Sequence, residues 1–288
     1  MKKSPRSLPL LVAALSAVAS APMFAQPTSV PYTPPARSIP LGSTVVAWDS
    51  LRFKASPVGL FCAIFDDPTP TLDKLEVHVT TLNPGLASHT PHQHPWEEIF
   101  LIKEGQVEMS INGRKERAGP GALVFIASHD PHNITNVGAA PATYYVIDFC
   151  TDAVHTVRDQ PAAEWAPPGM LSSRVIDCDS IPDPPNGGHR EVLDSPTPTF
   201  QRLESHVSTL APGASTTPRS RDPGDELFIV KSGALEATLN GTASRIGAGS
   251  LFYVAPNDER TMRNMGSVTC SYQVIKVVSA RSPQKPGA

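Results

Sequence analysis

Aromatic residues make up only 6% of the chain and charged residues only 18%, with a formal net charge of -3. No run of like charge stands out, which argues against a nucleic-acid or other polyionic partner. Beyond the first twenty residues no apolar stretch approaches the length needed to cross a bilayer. Four cysteines, Cys62, Cys150, Cys178 and Cys270, fit no zinc-ribbon or redox spacing. They leave two readings open: disulfides, with three possible pairings, or buried free thiols. What is abundant is proline, 31 residues, together with 19 glycines in 288. That balance favours short strands and many turns over long helices.

The first residues read as a targeting segment. Lys2, Lys3 and Arg6 precede an almost wholly apolar stretch from Leu8 to Ala19, and small residues lead to a cleavage point at Ala25–Gln26. The stretch is too short for a comfortable membrane anchor. The expectation is a signal peptide over 1–25, a periplasmic or secreted location, and no membrane association after cleavage. Residues 26–40 are proline-rich and read as an extended arm.

An internal repeat organises the rest. Asp66-Asp-Pro-Thr-Pro-Thr71 returns as Asp194-Ser-Pro-Thr-Pro-Thr199, and Leu75-Glu-Val-His-Val79 as Leu203-Glu-Ser-His-Val207. Glu98-Ile-Phe-Leu-Ile-Lys-Glu-Gly105 returns as Glu226-Leu-Phe-Ile-Val-Lys-Ser-Gly233, and Asn136-Val-Gly138 as Asn264-Met-Gly266. Every pair is 128 residues apart, which marks a tandem duplication. The predicted domains are 41–150 and 172–280, with a linker over 151–171 and a tail over 281–288. Alternation in Leu75–Val79 predicts a half-buried strand. Asn112-Gly113 and Asn240-Gly241 predict hairpin tips, because that dipeptide tolerates positive φ. The fold class is all-β, a barrel or sandwich in each half.

The first repeat carries the chemistry. His92 and His94, two apart, share a face of any strand. Glu98 follows four residues later, and His132 supplies a third imidazole from a later strand. Three imidazoles and a carboxylate suit a divalent first-row metal with positions left open. His89 and His129 are spare histidines beside them. The offset places Ser220, Asp222, Glu226 and Arg260 at the corresponding points of the second half, a set unsuited to tight metal binding. There Arg260 is expected to pair with Glu226 or Asp222. Glu76 and His78 recur as Glu204 and His206 although the three imidazoles of the metal set do not, so they are expected to serve the fold or the contact between halves.

These motifs resemble the cupin superfamily: Gly85, His92-Gln-His94, Glu98, Gly105, then Pro120-Gly121 and His132 with Asn136 four residues on. Ala122 stands where that superfamily usually has aspartate, and Ala127 or Ser128 where it has proline. The resemblance implies two tandem jelly-roll barrels, paired within one chain as in a homodimer, with one metal in the first. It points to manganese or iron, with zinc, copper or nickel as the alternatives that affinity alone would favour. It also implies a small-molecule ligand and leaves further oligomerisation open. The implied activity is that of a metal-dependent oxygenase or lyase, such as a dioxygenase or decarboxylase. Alternatives are a metal-dependent hydrolase or isomerase, and a non-enzymatic small-molecule or metal-binding protein.

Overall fold

The computed structural model describes residues 27–33, 39–182 and 189–284. The segment read as a signal peptide lies outside them. The first half forms two sheets. One has seven strands, in the order Arg174–Ile176, Leu123–Ile126, Glu97–Glu104, Ala142–Cys150, Lys74–Leu82, Gly59–Asp67 and Lys54–Ser56. The other has five, in the order Thr28–Ser29, His92–Gln93, His132–Asn136, Val107–Ile111 and Arg114–Ala118. The second half repeats the plan with sheets of six and three strands. Asn112 and Gly113 take φ of 49° and 75°, and Asn240 and Gly241 take 47° and 83°, as the hairpin reading requires.

Both faces of each large sheet are buried, and alternation assigns them opposite duties. Leu75, Val77, Val79, Ile99, Leu101, Tyr145, Ile147 and Phe149 face the other barrel, where they meet Phe200, Leu203, Val207, Leu227, Ile229, Ile275 and Val277 in one continuous core. Phe100, Ile102, Tyr144 and Val146 face inward, and join Met109, Ile111, Ile126 and Ile134 to fill the first barrel. Phe228, Val230, Tyr272 and Val274 do the same in the second.

The halves also exchange strands. Thr44–Val46, from the start of the chain, pairs with Leu251–Val254 of the second barrel. Arg174–Ile176, from the start of the second repeat, pairs with Leu123–Ile126 of the first. Two matching clasps reinforce the contact. Thr197 Oγ1 donates to Glu97 at 2.6 Å, and the Thr199 backbone N–H donates to the same carboxyl at 3.3 Å. Thr71 and Tyr253 donate to Asp225, which is the counterpart of Glu97. The recurring Pro-Thr-Pro-Thr is thus explained: in each repeat its threonines satisfy a carboxyl buried in the other barrel. Trp48 lies against Gly249, where a Cβ would come within 2.7 Å of the indole and where φ is +86°.

The segment 151–171 contains a short helix, Ala162–Trp165, and docks on the first barrel through Ala162 N–H to Ser128 O at 3.0 Å and Ala163 N–H to Asp130 at 3.1 Å. The four cysteines are all buried free thiols.

Glu76 and His78 stand on the inward face of Lys74–Leu82, opposite the core-forming Leu75 and Val77. Glu204 lies 3.2 Å from His206 and 2.7 Å from Lys276. His206 first, with Lys276 supporting it against the opposing effect of burial, holds the Glu204 carboxyl down to about 2, and His78 with Lys74 holds Glu76 down to about 2 in the same way. Folded values below the ordinary 4.5 contribute stability that is complete above pH 4.5 and lost as pH falls towards 2. The melting temperature is therefore expected to drop through that window. Glu204→Gln should lower it at pH 7 and shrink the drop; an unchanged acid limb in thermal melts would refute the assignment.

Candidate metal centre

The polar end of the first barrel is built where two short strands meet. His92 pairs directly with His132 across the small sheet. His94 leaves that strand two residues later, and Glu98 enters on Glu97–Glu104, so alternation sends Glu97 to the interface and Glu98 inward. One ligand atom from each of His92, His94 and His132 lies within 4.8 Å of the others. Glu98 Oε2 is 2.8 Å from His132 Nε2 and 3.4 Å from His94 Nε2. His94, Glu98 and His132 are buried, and His92 is half-buried at the mouth.

The ring orientations suit a cation. His94 Nδ1 sits 3.0 Å from Trp96 O, and His132 Nδ1 sits 2.9 Å from Asp130 O. Each contact places the ring proton on Nδ1 and turns the Nε2 lone pair towards the common centre. Asp130 is fixed in turn by Ser173 Oγ at 2.6 Å. The Trp96 ring stacks on His94 at 4.3 Å and 3°. Glu98 Oε2 and His132 Nε2, though only 2.8 Å apart, have no hydrogen bond of acceptable direction. Buried polar atoms that crowd together without bonding are what a set of ligands around a shared ion shows. The residues present fit a divalent metal.

Electrostatics favour the neutral form of His92 and His94 and the charged form of Glu98. Burial, with neighbouring His132 and His89, pushes His92 down to about 3, and burial lowers His94. For His132 burial also acts downward, but the Glu98 carboxylate outweighs it and the net direction is up. Glu98 is the mirror image: burial acts upward, and His132 with His94 brings it well below the usual carboxylate range. Asp148, buried on the neighbouring strand, is raised by burial and by the charges of Glu98 and Glu76.

Of the spare histidines, His89 packs edge-on to His92 at 3.9 Å and is exposed, whereas His129 turns away to Asp159 at 3.5 Å. Asn136 is a brace, with Nδ2 donating to Leu82 O and Ala140 O, both at 2.9 Å. Sequence reasoning missed the arm's part. Thr28–Ser29 adds a parallel strand beside His92–Gln93, with Val30 N–H bonded to Gln93 O at 2.8 Å. Tyr32 packs edge-on to Trp96 at 6.5 Å. Beneath the arm lies a cleft of about 230 Å³ whose walls include Tyr32, Lys74, Glu76, Trp96 and Asp148. A larger cavity, about 530 Å³, opens between the barrels and touches none of the four clustered residues.

In the second barrel the corresponding positions form an internal ion pair. Arg260 donates to Glu226 at 2.6 Å and to Ser220 Oγ at 3.0 Å, while Asp222 turns to Lys276 at 3.2 Å.

Fold and site together define a two-barrel protein of the cupin superfamily fold, with a histidine-based site able to hold a divalent metal. Residues 78–148 and 206–276 each match the family described as Cupin domain. Dimethylsulfoniopropionate lyase DddQ of Ruegeria pomeroyi is 37% identical over 73 residues, 25% of this chain and 36% of that protein. L-ectoine synthase of Halomonas elongata is 27% identical over 86 residues, 30% of this chain and 53% of that one. The chain thus spans about a third to a half of the curated relatives it matches. Among solved structures, a putative glyoxylate-induced protein from Pseudomonas aeruginosa aligns over 90% of this chain and 97% of its own, with TM-score 0.67 and 15% identity. A mutant of Bacillus subtilis oxalate decarboxylase OxdC aligns over 83% and 78%, with TM-score 0.60 and 15% identity. These likenesses are ones of fold.

Proposed function

We propose that the protein is an exported metal-dependent lyase or oxygenase acting on a small organic molecule at the first barrel. His92, His94, Glu98 and His132 are its ligands and manganese or iron its metal; the second barrel holds none. The observation that carries this reading is the cluster of His92, His94 and His132 ligand atoms within 4.8 Å of one another, with the carbonyl-oriented Nε2 atoms of His94 and His132 beside Glu98 Oε2. The glutamate adds a hard oxygen donor, which favours manganese or iron over the softer alternatives. When bound, such a metal supplies a Lewis-acid centre that polarises a coordinated carboxylate or carbonyl oxygen.

The chain's own groups do the rest. Half-buried His92 marks the side from which a ligand approaches. Trp96 and the Asp130 carbonyl hold the two deeper rings in place, and the apolar filling behind Phe100 and Ile134 excludes water from the far side. The Arg260–Glu226 pair supports a metal-free second barrel, because a guanidinium stands where a cation would sit.

The test is metal analysis of protein recovered from its native compartment, with turnover assays in the presence and absence of dioxygen. About one manganese or iron per chain is expected; a value near two, or mainly zinc or copper, overturns the assignment. Dimethylsulfoniopropionate and oxalate, acted on by the similar proteins according to their names, are the first substrates to try. Product formed without dioxygen selects the lyase reading, and consumption of dioxygen selects the oxygenase. Absence of both with a broad panel of small acids returns the protein to the binding class.

The arm gives a separate check. Tyr32→Ala is expected to speed metal loss to a chelator by about ten-fold through slackened support of Trp96 and His94, the size typical of outer-shell changes. An unchanged rate would show that the arm only decorates the barrel.

A further inference from the structure

The second barrel holds a cavity of about 170 Å³ at the place that corresponds to the imidazole cluster. Its polar end carries Ser220, Glu226 and Arg260, and its apolar wall Phe228, Met262 and Val274. Arg260 is held rigidly: Nη1 bonds Ser220, Nη2 bonds Glu226, and its Cζ stands 5.7 Å from the Phe228 ring centre. Its Nε–H is buried and has no acceptor. A buried, fixed guanidinium proton without a partner is costly unless something arrives to accept it.

The neighbouring cations are held by other carboxylates. Lys276 is taken by Glu204 and Asp222, at 2.7 and 3.2 Å, and Arg202 by Asp194 at 2.6 Å. Burial, opposed in part by Arg260, holds the Glu226 carboxyl up to about 8, and Glu226 engages only Nη2 of Arg260, which leaves the Nε–H without an acceptor. The space equals about six water volumes, enough for an acid of about three to five carbons.

We infer that the second barrel is a binding site for a small monocarboxylate, whose carboxylate accepts the Arg260 Nε–H while its short apolar tail lies against Phe228, Met262 and Val274. The inference rests on the reading that no metal occupies this barrel, and it holds whatever reaction the first barrel performs.

The experiment is calorimetric titration of the full-length processed chain, carrying its native metal, with butyrate, butyramide and butylammonium. Butyrate alone should bind. Arg260→Gln should weaken it by about thirty-fold or more, as loss of one member of a buried charge contact does, and Arg260→Lys by less. His132→Ala, which disables the first barrel, should leave it unchanged. Binding that survives in Arg260→Gln and disappears in His132→Ala would place the acid in the first barrel and overturn the inference. Equal binding of butyramide would overturn the carboxylate assignment, and no binding at all would overturn the site. Should Arg260→Gln fail to fold, the methyl resonances of wild-type protein labelled at methionine decide the matter. The Met262 signal must move with butyrate while that of Met109, in the first barrel, stays still; the reverse sinks the proposal.

Discussion

His132→Ala should empty the first barrel of metal. The ring is fully buried, its Nε2 lone pair is aimed by the Asp130 carbonyl, and it stands 2.8 Å from Glu98. Loss of an outer partner of a ligand costs about 10- to 100-fold in metal affinity; loss of the ligand itself should cost at least about 100-fold. Metal added to the wild type should raise its melting temperature, because a cation that binds only the folded state stabilises it by mass action. The variant should show no such rise and should lose turnover entirely. His92→Ala provides the companion measurement, since that ring is only half-buried and its removal disturbs packing less. Asn136→Ala is the contrast. It breaks two bonds to backbone carbonyls, so it should lower stability while leaving the metal content of the folded fraction unchanged. A His132→Ala protein that retains wild-type metal would remove this residue from the ligand set.

The second large effect lies at the interface. Phe200→Ala should destabilise the whole chain by about 3–5 kcal/mol, the usual cost of emptying a core aromatic position. Phe200 is buried and meets Phe149 of the other barrel edge-on at 6.1 Å. Both barrels share that core, so calorimetry should show one transition that moves as a unit. Two transitions, only one of them shifted, would mean the barrels fold independently. Expressed alone, residues 39–171 should lack a cooperative melt, since they lose Arg174–Ile176 from the large sheet and expose Leu75, Val77 and Tyr145.

Much of this was legible in the sequence because it depended on local chemistry. The offset of 128 residues located the duplication, and Asn112-Gly113 located a hairpin from backbone preference alone. Spacing marked His92, His94, Glu98 and His132 as a candidate set; the three imidazoles cluster in the fold, with Glu98 beside His94 and His132. What was hidden depended on partners. The three-residue strands Thr44–Val46 and Arg174–Ile176 carry no signal of the sheet they join. The Thr-Pro-Thr repeat was visible, but its recipients, Glu97 and Asp225, lie far along the chain. Glu76 and His78 were referred to the fold or the interface because both repeats keep them, and alternation distinguishes two faces of a strand without naming the inner one. In a sheet buried on both sides, hydrophobicity does not break that tie.

The exchange of Thr44–Val46 for Arg174–Ile176 bears on how such a chain evolves. After a duplication, one pocket is free to change its occupant only if the half that contains it remains indispensable for another reason. Here that reason is mechanical: each half lends the other a strand and a pair of threonines. Changes at Ser220, Asp222 or Arg260 act within the second pocket, whereas changes at Thr197 or Phe200 act on Glu97 and Phe149 across the interface. Selection acting on chemistry in one barrel therefore preserves the scaffold of both, and leaves the second pocket open to acquire a ligand of its own.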